Sequence, residues 1–408
     1  MFLNRNLREP ILIVLVLSST AAAAPSARSA ETQAVVAGNT AFALDLYGRL
    51  RTAPGNLFFS PYSISTCLAM AYAGARGDTE LQMAGVFHFD TNQSAVNAAF
   101  GELQRQLAAV SQEKGVELNI ANALWSQNDH PFLPAFLQNA KVNYQANLNQ
   151  ANFKTDAEAA RTKINQWVAQ KTKEKIKDIL PPGSLDALTR LVLANAIYFK
   201  GVWAKPYDKA QTSPQPFHLS AASQVTVPLM HHLDEVKYME NSGFQAVELP
   251  YQSNKLSMVV LLPRQVDGCS TLESRLTPEL LSSSLSQMNL RKVEIFLPRF
   301  KLESSFNLNE ALAGMGMPDA FGPRADFSGM DGTRFLYISG VFHKAWGEVN
   351  EEGTEAAAAT AVTITKSAIR QPVEAPPVFR ADHPFLFLIR GTRSGSILFL
   401  GRLSNPSA

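Results

Sequence analysis

One segment near the C-terminus, residues 354–365, can be read in two conformations. Four alanines follow Glu355, and with Thr354 as N-cap they favour a helix. The β-branched residues at 362–365 favour a strand instead. With a period of two, one face of the segment carries no charge and no large ring: Thr354, Ala356, Ala358, Thr360, Val362 and Ile364. The segment can therefore be an exposed loop in one state and a buried strand in another, with Gly353 as a flexible pivot.

The rest of the chain is typical of a mixed α and β protein. Of its 408 residues, 46% are hydrophobic and 18% charged, and the formal net charge of +2 gives no attraction to nucleic acid. Helical periodicity predicts helices over residues 32–51, 63–74, 94–110, 156–179, 277–288 and 308–315. Strand-like runs lie at 118–125, 189–199, 245–249, 256–262, 292–298, 336–344, 385–390 and 396–403. No βα unit recurs, which disfavours a doubly wound parallel sheet.

The N-terminus has the pattern of a secretory signal peptide. Arg5 and Arg8 precede an apolar run at residues 11–17, and small residues follow it. The run is too short for a membrane span, which needs about 20 residues. We therefore expect residues 1–23 to be removed and the protein to be secreted, extracellular or periplasmic, with no membrane partner. Whether Cys67 and Cys269 pair or stay as buried thiols is left open.

Enzyme motifs occur only as fragments. The chain has no Gly-x-Ser-x-Gly elbow, no His-Glu-x-x-His, no phosphate-binding loop and no Cys-x-x-Cys. Ser111 and Lys114 match Ser-x-x-Lys, but the companion Lys-Thr-Gly is missing. The adjacent His231 and His232 would point to opposite faces of a strand, which argues against a metal pair. We predict that the protein is not an enzyme and has no catalytic residue, cofactor or metal.

Several longer motifs together resemble the serpin family. They are NLFFSPYS at 56–63 with GARGDT at 74–79, LANAIYFKGVW at 193–203, FHKAWGEVNEEGTEAAAA at 342–359, and FRADHPF at 379–385. The resemblance covers almost all of the chain beyond the predicted leader, in the family's order, and the 342–359 motif is highly specific. It implies a single α+β domain, residues 31–408, with three β-sheets, eight or nine helices and a reactive-centre loop at about 351–378.

The resemblance also implies a mechanism. In serpins the loop is offered as bait, the target protease cuts it and forms an acyl-enzyme, and the freed loop inserts into a sheet and traps the protease. We therefore expect an irreversible suicide-substrate inhibitor that forms a covalent complex with a serine protease, with cysteine proteases as a second class, and that acts as a monomer. The alternative is a non-inhibitory serpin with a carrier, chaperone or storage role. The uncharged face of the 354–364 segment favours inhibition.

Matching the family's motifs assigns three groups of residues. The hinge, where insertion begins, comprises Glu351, Glu352, Gly353, Thr354, Glu355, Ala356, Ala357, Ala358 and Ala359. The shutter, a polar cluster beneath the point where the sheet strands part, comprises Ser60, Ser63, Asn195 and His343. The breach, at the entrance for the loop, comprises Trp203, Arg299 and Glu351.

The scissile bond is assigned by spacing. In the family it usually follows the residue sixteen positions beyond the hinge glutamate, which from Glu351 gives the bond between Ser367 and Ala368. One residue earlier, the bond between Lys366 and Ser367 offers a trypsin-like protease the long cation that its acidic pocket binds. Cleavage after Arg370 is a third possibility, which would lengthen the inserted arm by three residues.

Overall fold

The structure, a computed structural model, describes residues 30–408 except for positions 90–91, 129, 147 and 355–374. The predicted leader at 1–23, the hinge residues from Glu355 to Ala359, and the candidate scissile bonds at Lys366, Ser367 and Ala368 lie outside these ranges. Within them, no helix is both long enough and apolar enough to cross a membrane.

Ten α-helices occur in the described residues, most of them in the first half of the chain. They are α1 (Ala30–Leu50), α2 (Pro61–Tyr72), α3 (Gly77–Phe87), α4 (Gln93–Ser111), α5 (Pro134–Tyr144), α6 (Ala157–Lys171), α7 (Cys269–Arg275), α8 (Pro278–Gln287), α9 (Asn309–Met315) and α10 (Ser328–Asp331). The family resemblance implies eight or nine helices, and the tenth is α10, a single turn of four residues.

Fifteen strands occur in the same ranges. They are β1 (Leu57–Phe59), β2 (Val116–Gln127), β3 (Asn149–Ala151), β4 (Leu191–Val202), β5 (Ser213–Ser220), β6 (Ser223–Glu240), β7 (Phe244–Pro250), β8 (Leu256–Pro263), β9 (Asn289–Pro298), β10 (Phe300–Asn307), β11 (Ile338–Val349), β12 (Gly353–Thr354), β13 (Val378–Arg380), β14 (Phe385–Gly391) and β15 (Ile397–Leu403). The predicted mixed α and β class is confirmed.

The strands form two hydrogen-bonded sheets, which we call the large sheet and the central sheet. The large sheet has the order β1-β15-β14-β8-β7-β6-β9-β13, with β5 paired to β6. The central sheet has the order β10-β11-β4-β2-β3, with β12 paired to β4. The predicted third sheet is present as β5, β13 and parts of β6 and β9. It is continuous with the large sheet because β6, with 18 residues, pairs with β5 at one end and with β7 at the other.

The side chains of β4 alternate between two hydrophobic clusters. Its odd-numbered apolar residues belong to the main core, which lies between the two sheets and under helices α1 to α4. Its even-numbered residues pack under α6 in a smaller cluster with Trp125 and Trp346. Because both faces of β4 are buried, any strand added beside it must also suit a buried environment.

Helix α6 is shorter than the sequence predicts. Asp156 caps it by accepting a hydrogen bond from the amide of Ala159 at 2.9 Å, as its position suggests. The predicted helix runs to residue 179, but α6 ends at Lys171, and Lys173 and Glu174 then adopt left-handed backbone angles, with φ of 52° and 62°. The chain turns here so that residues 176–180 pack under the sheet as non-helical backbone.

Both cysteines are free and buried. Burial raises the pKa of the Cys67 and Cys269 thiols to about 12, so neither is a thiolate near neutral pH.

Candidate functional site

Two of the predicted hinge residues, Gly353 and Thr354, pair with the central sheet. Strands β4 and β11 are parallel neighbours from the Leu191–Ile338 pair to the Tyr198–Trp346 pair. Beyond that point the last residues of β4 pair with β12 instead, antiparallel, with Gly353 opposite Val202. Strand β12 is connected to β11 by a tight turn closed by the Asn350–Gly353 bridge. One end of the β4–β11 seam is therefore open, and two hinge residues occupy it.

Glycine is required at position 353 by this close approach. Its φ of +145° is a conformation that residues with a side chain rarely adopt. A Cβ atom there would lie 2.0 Å from the carbonyl oxygen of Gly201 and 2.7 Å from the Cα of Val202. Gly353 therefore allows the chain to reverse its direction in contact with β4, at the open end of the β4–β11 seam.

Thr354 is the first hinge side chain inside the sheet, and it is 2% exposed. Its hydroxyl lies 3.0 Å from the hydroxyl of Tyr251. It also lines a small space among apolar side chains of the main core, including Phe58, Phe300 and Phe387. Apart from Glu348 at its edge, the residues that line this space carry no charge, so the surroundings suit a small neutral side chain.

Glu351 is held in the turn by three groups. Its carboxylate receives hydrogen bonds from Arg299 Nε at 2.7 Å and from the Thr212 hydroxyl at 2.5 Å, and its carbonyl oxygen accepts from the amide of Tyr207 at 2.7 Å. Burial alone would raise the pKa of Glu351, but the hydrogen bonds from Arg299 and Thr212 and the charge of the guanidinium lower it. Glu351 is thus a buried, ionised anchor.

Trp203 fixes the other half of the same turn. Its indole Nε1–H donates to the carbonyl oxygen of Asn350 at 3.0 Å, and its amide donates to the carbonyl oxygen of Glu352 at 2.9 Å. The ring stacks on Tyr251 with centroids 4.7 Å apart and planes 8° apart. The structure thus brings all three predicted breach residues to the turn before β12. The sequence prediction did not include Thr212, Tyr207 or Tyr251.

The four predicted shutter residues also lie together, in the interior beside β4 and β11. The amide of Ser60 donates to His343 Nε2 at 3.0 Å, and His343 Nδ1–H donates to the side-chain oxygen of Asn195. The Asn195 amide donates in turn to the Ser63 carbonyl at 2.9 Å and to its hydroxyl at 2.6 Å. This network bridges α2, β4 and β11.

Asn122 on β2 is a fifth member of the shutter network that the sequence prediction missed. Its side-chain oxygen accepts from the Ser63 hydroxyl at 3.0 Å and also from the Asn195 amide. The sequence feature that could have identified it is its position between two alanines in the predicted strand at 118–125, because asparagine is uncommon in strands.

The burial of His343, the predicted shutter histidine, leads to a testable prediction about stability at acid pH. Burial lowers the pKa of His343 to about 3, which agrees with a neutral ring whose Nε2 accepts a hydrogen bond. In the unfolded chain the pKa is about 6.5, so the unfolded state binds the proton first as pH falls. The contribution of the neutral His343 ring to the free energy of unfolding is complete above pH ~6.5. It decreases by about 1.4 kcal/mol for each pH unit below that value, which gives a loss of about 2 kcal/mol at pH ~5.

Urea denaturation above pH ~6.5 and at pH ~5 should show this loss. His343→Gln should remove it, because a glutamine amide keeps one acceptor and one donor but does not titrate. His88→Gln, at an exposed histidine, is the matched control. An equal pH dependence in the protein and its His343→Gln variant would contradict the assignment.

Comparisons with known proteins agree with this geometry. The family model described as serpin (serine protease inhibitor) matches residues 37–406. The leukocyte elastase inhibitor of Homo sapiens is 44% identical over 381 residues, covering 90% of this chain and 98% of that protein. The leukocyte elastase inhibitor of Sus scrofa is 44% identical over 380 residues, covering 91% and 99%. The crystal structure of uncleaved ovalbumin superposes with a TM-score of 0.82 at 32% identity, covering 91% of this chain and all of that one.

The prediction that the protein is secreted is wrong. The matches to the two elastase inhibitors cover 98% and 99% of those proteins but only 90% and 91% of this chain. The match to the family model begins at residue 37. These relatives therefore contain no counterpart of the predicted leader at 1–23, and the similarity that defines the chain gives no support for secretion, an extracellular location or a signal peptide.

Proposed function

The chain belongs to the serpin family, and from that premise we propose that it is an irreversible suicide-substrate inhibitor of serine endopeptidases. The target cuts the reactive-centre loop and forms an acyl-enzyme, and the freed loop inserts between β4 and β11 with the protease attached. The observation that supports this most directly is the pairing of Gly353 and Thr354 with β4, because it gives insertion a fixed start and direction.

The register of β12 supports the expectation that the uncharged, even-numbered face of the loop is the one that becomes buried. Continuing this register along β4 brings the even-numbered residues from Ala356 onward opposite odd-numbered residues of β4. These β4 side chains, apart from Asn195, belong to the main core: Leu191, Leu193, Ile197 and Phe199. The uncharged face of the loop would therefore enter the core, and Thr360 would come opposite Asn195 of the shutter network.

We also propose a common role for the shutter residues Ser60, Ser63, Asn195 and His343. Insertion must separate β4 from β11, and the hydrogen bond between His343 of β11 and Asn195 of β4 crosses that seam. The network then holds the seam closed until the loop is cut, while Trp203, Arg299 and Glu351 hold the hinge at its open end. One domain, residues 31–408, supplies every one of these groups, so we propose that the inhibitor acts as a monomer.

The inhibitory function is tested by incubating the protein with elastase-like, trypsin-like and subtilisin-like serine proteases. A complex that survives SDS is expected with at least one of them, because the ester of the acyl-enzyme is covalent. A cysteine protease in the same panel tests that second target class through its thioester. Cleavage of the loop by every protease without any complex would establish the non-inhibitory alternative instead.

The position of the scissile bond is a further prediction of the proposed function. We expect cleavage between Ser367 and Ala368 by an enzyme with a small specificity pocket, and cleavage between Lys366 and Ser367 by a trypsin-like enzyme. Mass spectrometry of the C-terminal fragment distinguishes them, since it begins at Ala368 in the first case and at Ser367 in the second. A fragment beginning before Thr360 would contradict both.

A further inference from the structure

A stacked contact between Tyr207 and His232 lies directly behind the hinge. The two rings are parallel to within 9°, with centroids 3.8 Å apart. His232 lies on β6, and Tyr207 lies in the segment 203–208 that follows β4. The amides of this segment bond the hinge, from Tyr207 to the carbonyl of Glu351 and from Trp203 to that of Glu352. The stack therefore supports the backbone that positions the first inserted residues.

The polar atoms of this stack are buried without hydrogen bonds. Both ring nitrogens of His232 and the hydroxyl of Tyr207 have no hydrogen-bond partner anywhere in the described part of the chain. They face a small crevice that Trp203, Lys205 and Asp234 also line. Unpaired buried polar groups cost stability, so an arrangement that leaves three of them at one contact beside the hinge calls for a functional explanation.

The charged groups around the stack are already paired. Asp234, two residues along β6 on the same face, binds Lys205 at 2.9 Å. His231 points to the opposite face and binds Glu294 of β9 at 3.1 Å. Beyond Tyr207, the hinge carboxylates in the described residues, Glu351 and Glu352, are bound to Arg299 and to Lys209, and Glu352 keeps one oxygen without a hydrogen bond. Each of these carboxylates is already bound to a cation, with which a proton added to His232 would have to compete.

These surroundings set the protonation behaviour of His232. Burial lowers its pKa to about 4, with Lys205 and His231 acting in the same direction and Asp234 opposing them. The imidazolium has two N–H donors, and the closed stack offers an acceptor to neither of them. The protonated ring must therefore leave the stack to be solvated or to displace Lys205 from Asp234.

We propose that the stack of Tyr207 on His232 is a positioning contact for the hinge, and that protonation of His232 opens it. This inference rests on the proposed function. When the stack opens, the segment 203–208 loses its support on β6, and its hydrogen bonds to Glu351 and Glu352 weaken. The loop then starts insertion without a fixed register, and a larger share of cleaved molecules is released as substrate.

The expected size of the effect follows from the two protonation states. The open form binds the proton with an ordinary histidine pKa near 6.5 and the closed form only near 4, so acid favours opening. The opening equilibrium should rise about tenfold between pH ~7.5 and pH ~5.5.

Hydrogen exchange of the peptide that contains residues 203–208 measures this opening. We compare the protein with His232→Phe, which keeps a flat ring against Tyr207 but does not titrate. Dividing the two rates at each pH cancels the intrinsic pH dependence of exchange. The ratio should be about tenfold larger at pH ~5.5 than at pH ~7.5. His231→Gln, on the opposite face of the same strand, is the control and should give the ratio of the unmodified protein.

A ratio that does not change with pH would overturn the proposal. If His232→Phe does not fold, His232→Gln serves in its place, because it too lacks the titration. The second measurement is the ratio of SDS-stable complex to cleaved inhibitor at the two pH values, with the same protease for all variants. It should fall at pH ~5.5 for the unmodified protein and stay constant for the His232 variant.

The two measurements separate this inference from the function on which it rests. Failure to form a complex with any protease at pH ~7.5 would remove the proposed function, whatever the exchange data show. If complex forms with the same pH profile in the unmodified protein and in the His232 variant, only the positioning role of the stack is excluded.

Discussion

Cleavage of the loop within residues 355–374 should raise the free energy of unfolding by on the order of 10 kcal/mol and the melting temperature by ~13 °C. In the proposed mechanism about ten residues, from Glu355 to Ile364, become a strand opposite residues 200 to 191 of β4. The new strand has a neighbour on both sides, whereas the β4–β11 pairing that it replaces is a single ladder. With a net contribution of ~1 kcal/mol for each added hydrogen bond, the gain is comparable with the whole stability of an ordinary domain.

Calorimetry before and after limited proteolysis measures this gain, with the cleaved protein kept intact as its two associated fragments. The matched control is cleavage of Thr354→Arg, in which insertion is impeded and the rise should be smaller. An unchanged or lower melting temperature after cleavage of the unmodified protein would exclude the inhibitory mechanism.

Thr354→Arg should convert the inhibitor into a substrate. The residue is 2% exposed and lies among mostly apolar side chains, so an arginine there would have to be desolvated at a cost of several kcal/mol. Because each 1.4 kcal/mol corresponds to about a factor of ten in rate, insertion would be slowed about 100-fold or more, and hydrolysis of the acyl-enzyme would compete. The loop itself would remain accessible, so cleavage should continue while the covalent complex almost disappears.

Two control variants make this result specific. Thr354→Val keeps the shape and removes only the contact with the Tyr251 hydroxyl, so it should still form most of the complex. Glu355→Gln changes a charge on the opposite face expected from the alternation and should also form complex. A Thr354→Arg protein that forms complex in the original proportion would show that the hinge is assigned wrongly.

The parts of the site that the sequence predicted are those carried by contiguous motifs. Residues 342–359 combine the end of a buried strand, a turn and a neutral hinge, and this motif is specific enough for the family resemblance to assign Glu351 and His343. Their partners come from separate parts of the chain, such as Thr212, Tyr207 and Asn122. Each of these is an ordinary polar residue in its own segment, and its role depends on tertiary contacts that local patterns do not encode.

The hairpin of β5 and β6 also depends on tertiary context, and the sequence analysis did not predict it. Pro214 and Pro216 argue against a strand, since proline cannot donate to a ladder. Strand β5 tolerates both because it pairs only with β6 and forms an edge. The exposed side of β6 mixes polar and apolar residues, so its period of two is weak. The buried strands β4, β8 and β15, with continuous apolar runs, were predicted correctly in type and place.

The unbroken passage of β6 and β9 through the large sheet has a mechanical consequence. Arg299 follows β9 directly, and His232 lies on β6, so these two supports of the hinge are attached to strands that stay paired in the proposed insertion, whereas Trp203 follows β4 at the seam. Only the β4–β11 seam has to move, and it moves against a rigid frame. Substitutions in β6 and β9 should therefore alter the stability of the native and cleaved forms equally. Substitutions along the β4–β11 seam should alter the difference in stability between the two forms, and with it the force available to deform a bound enzyme.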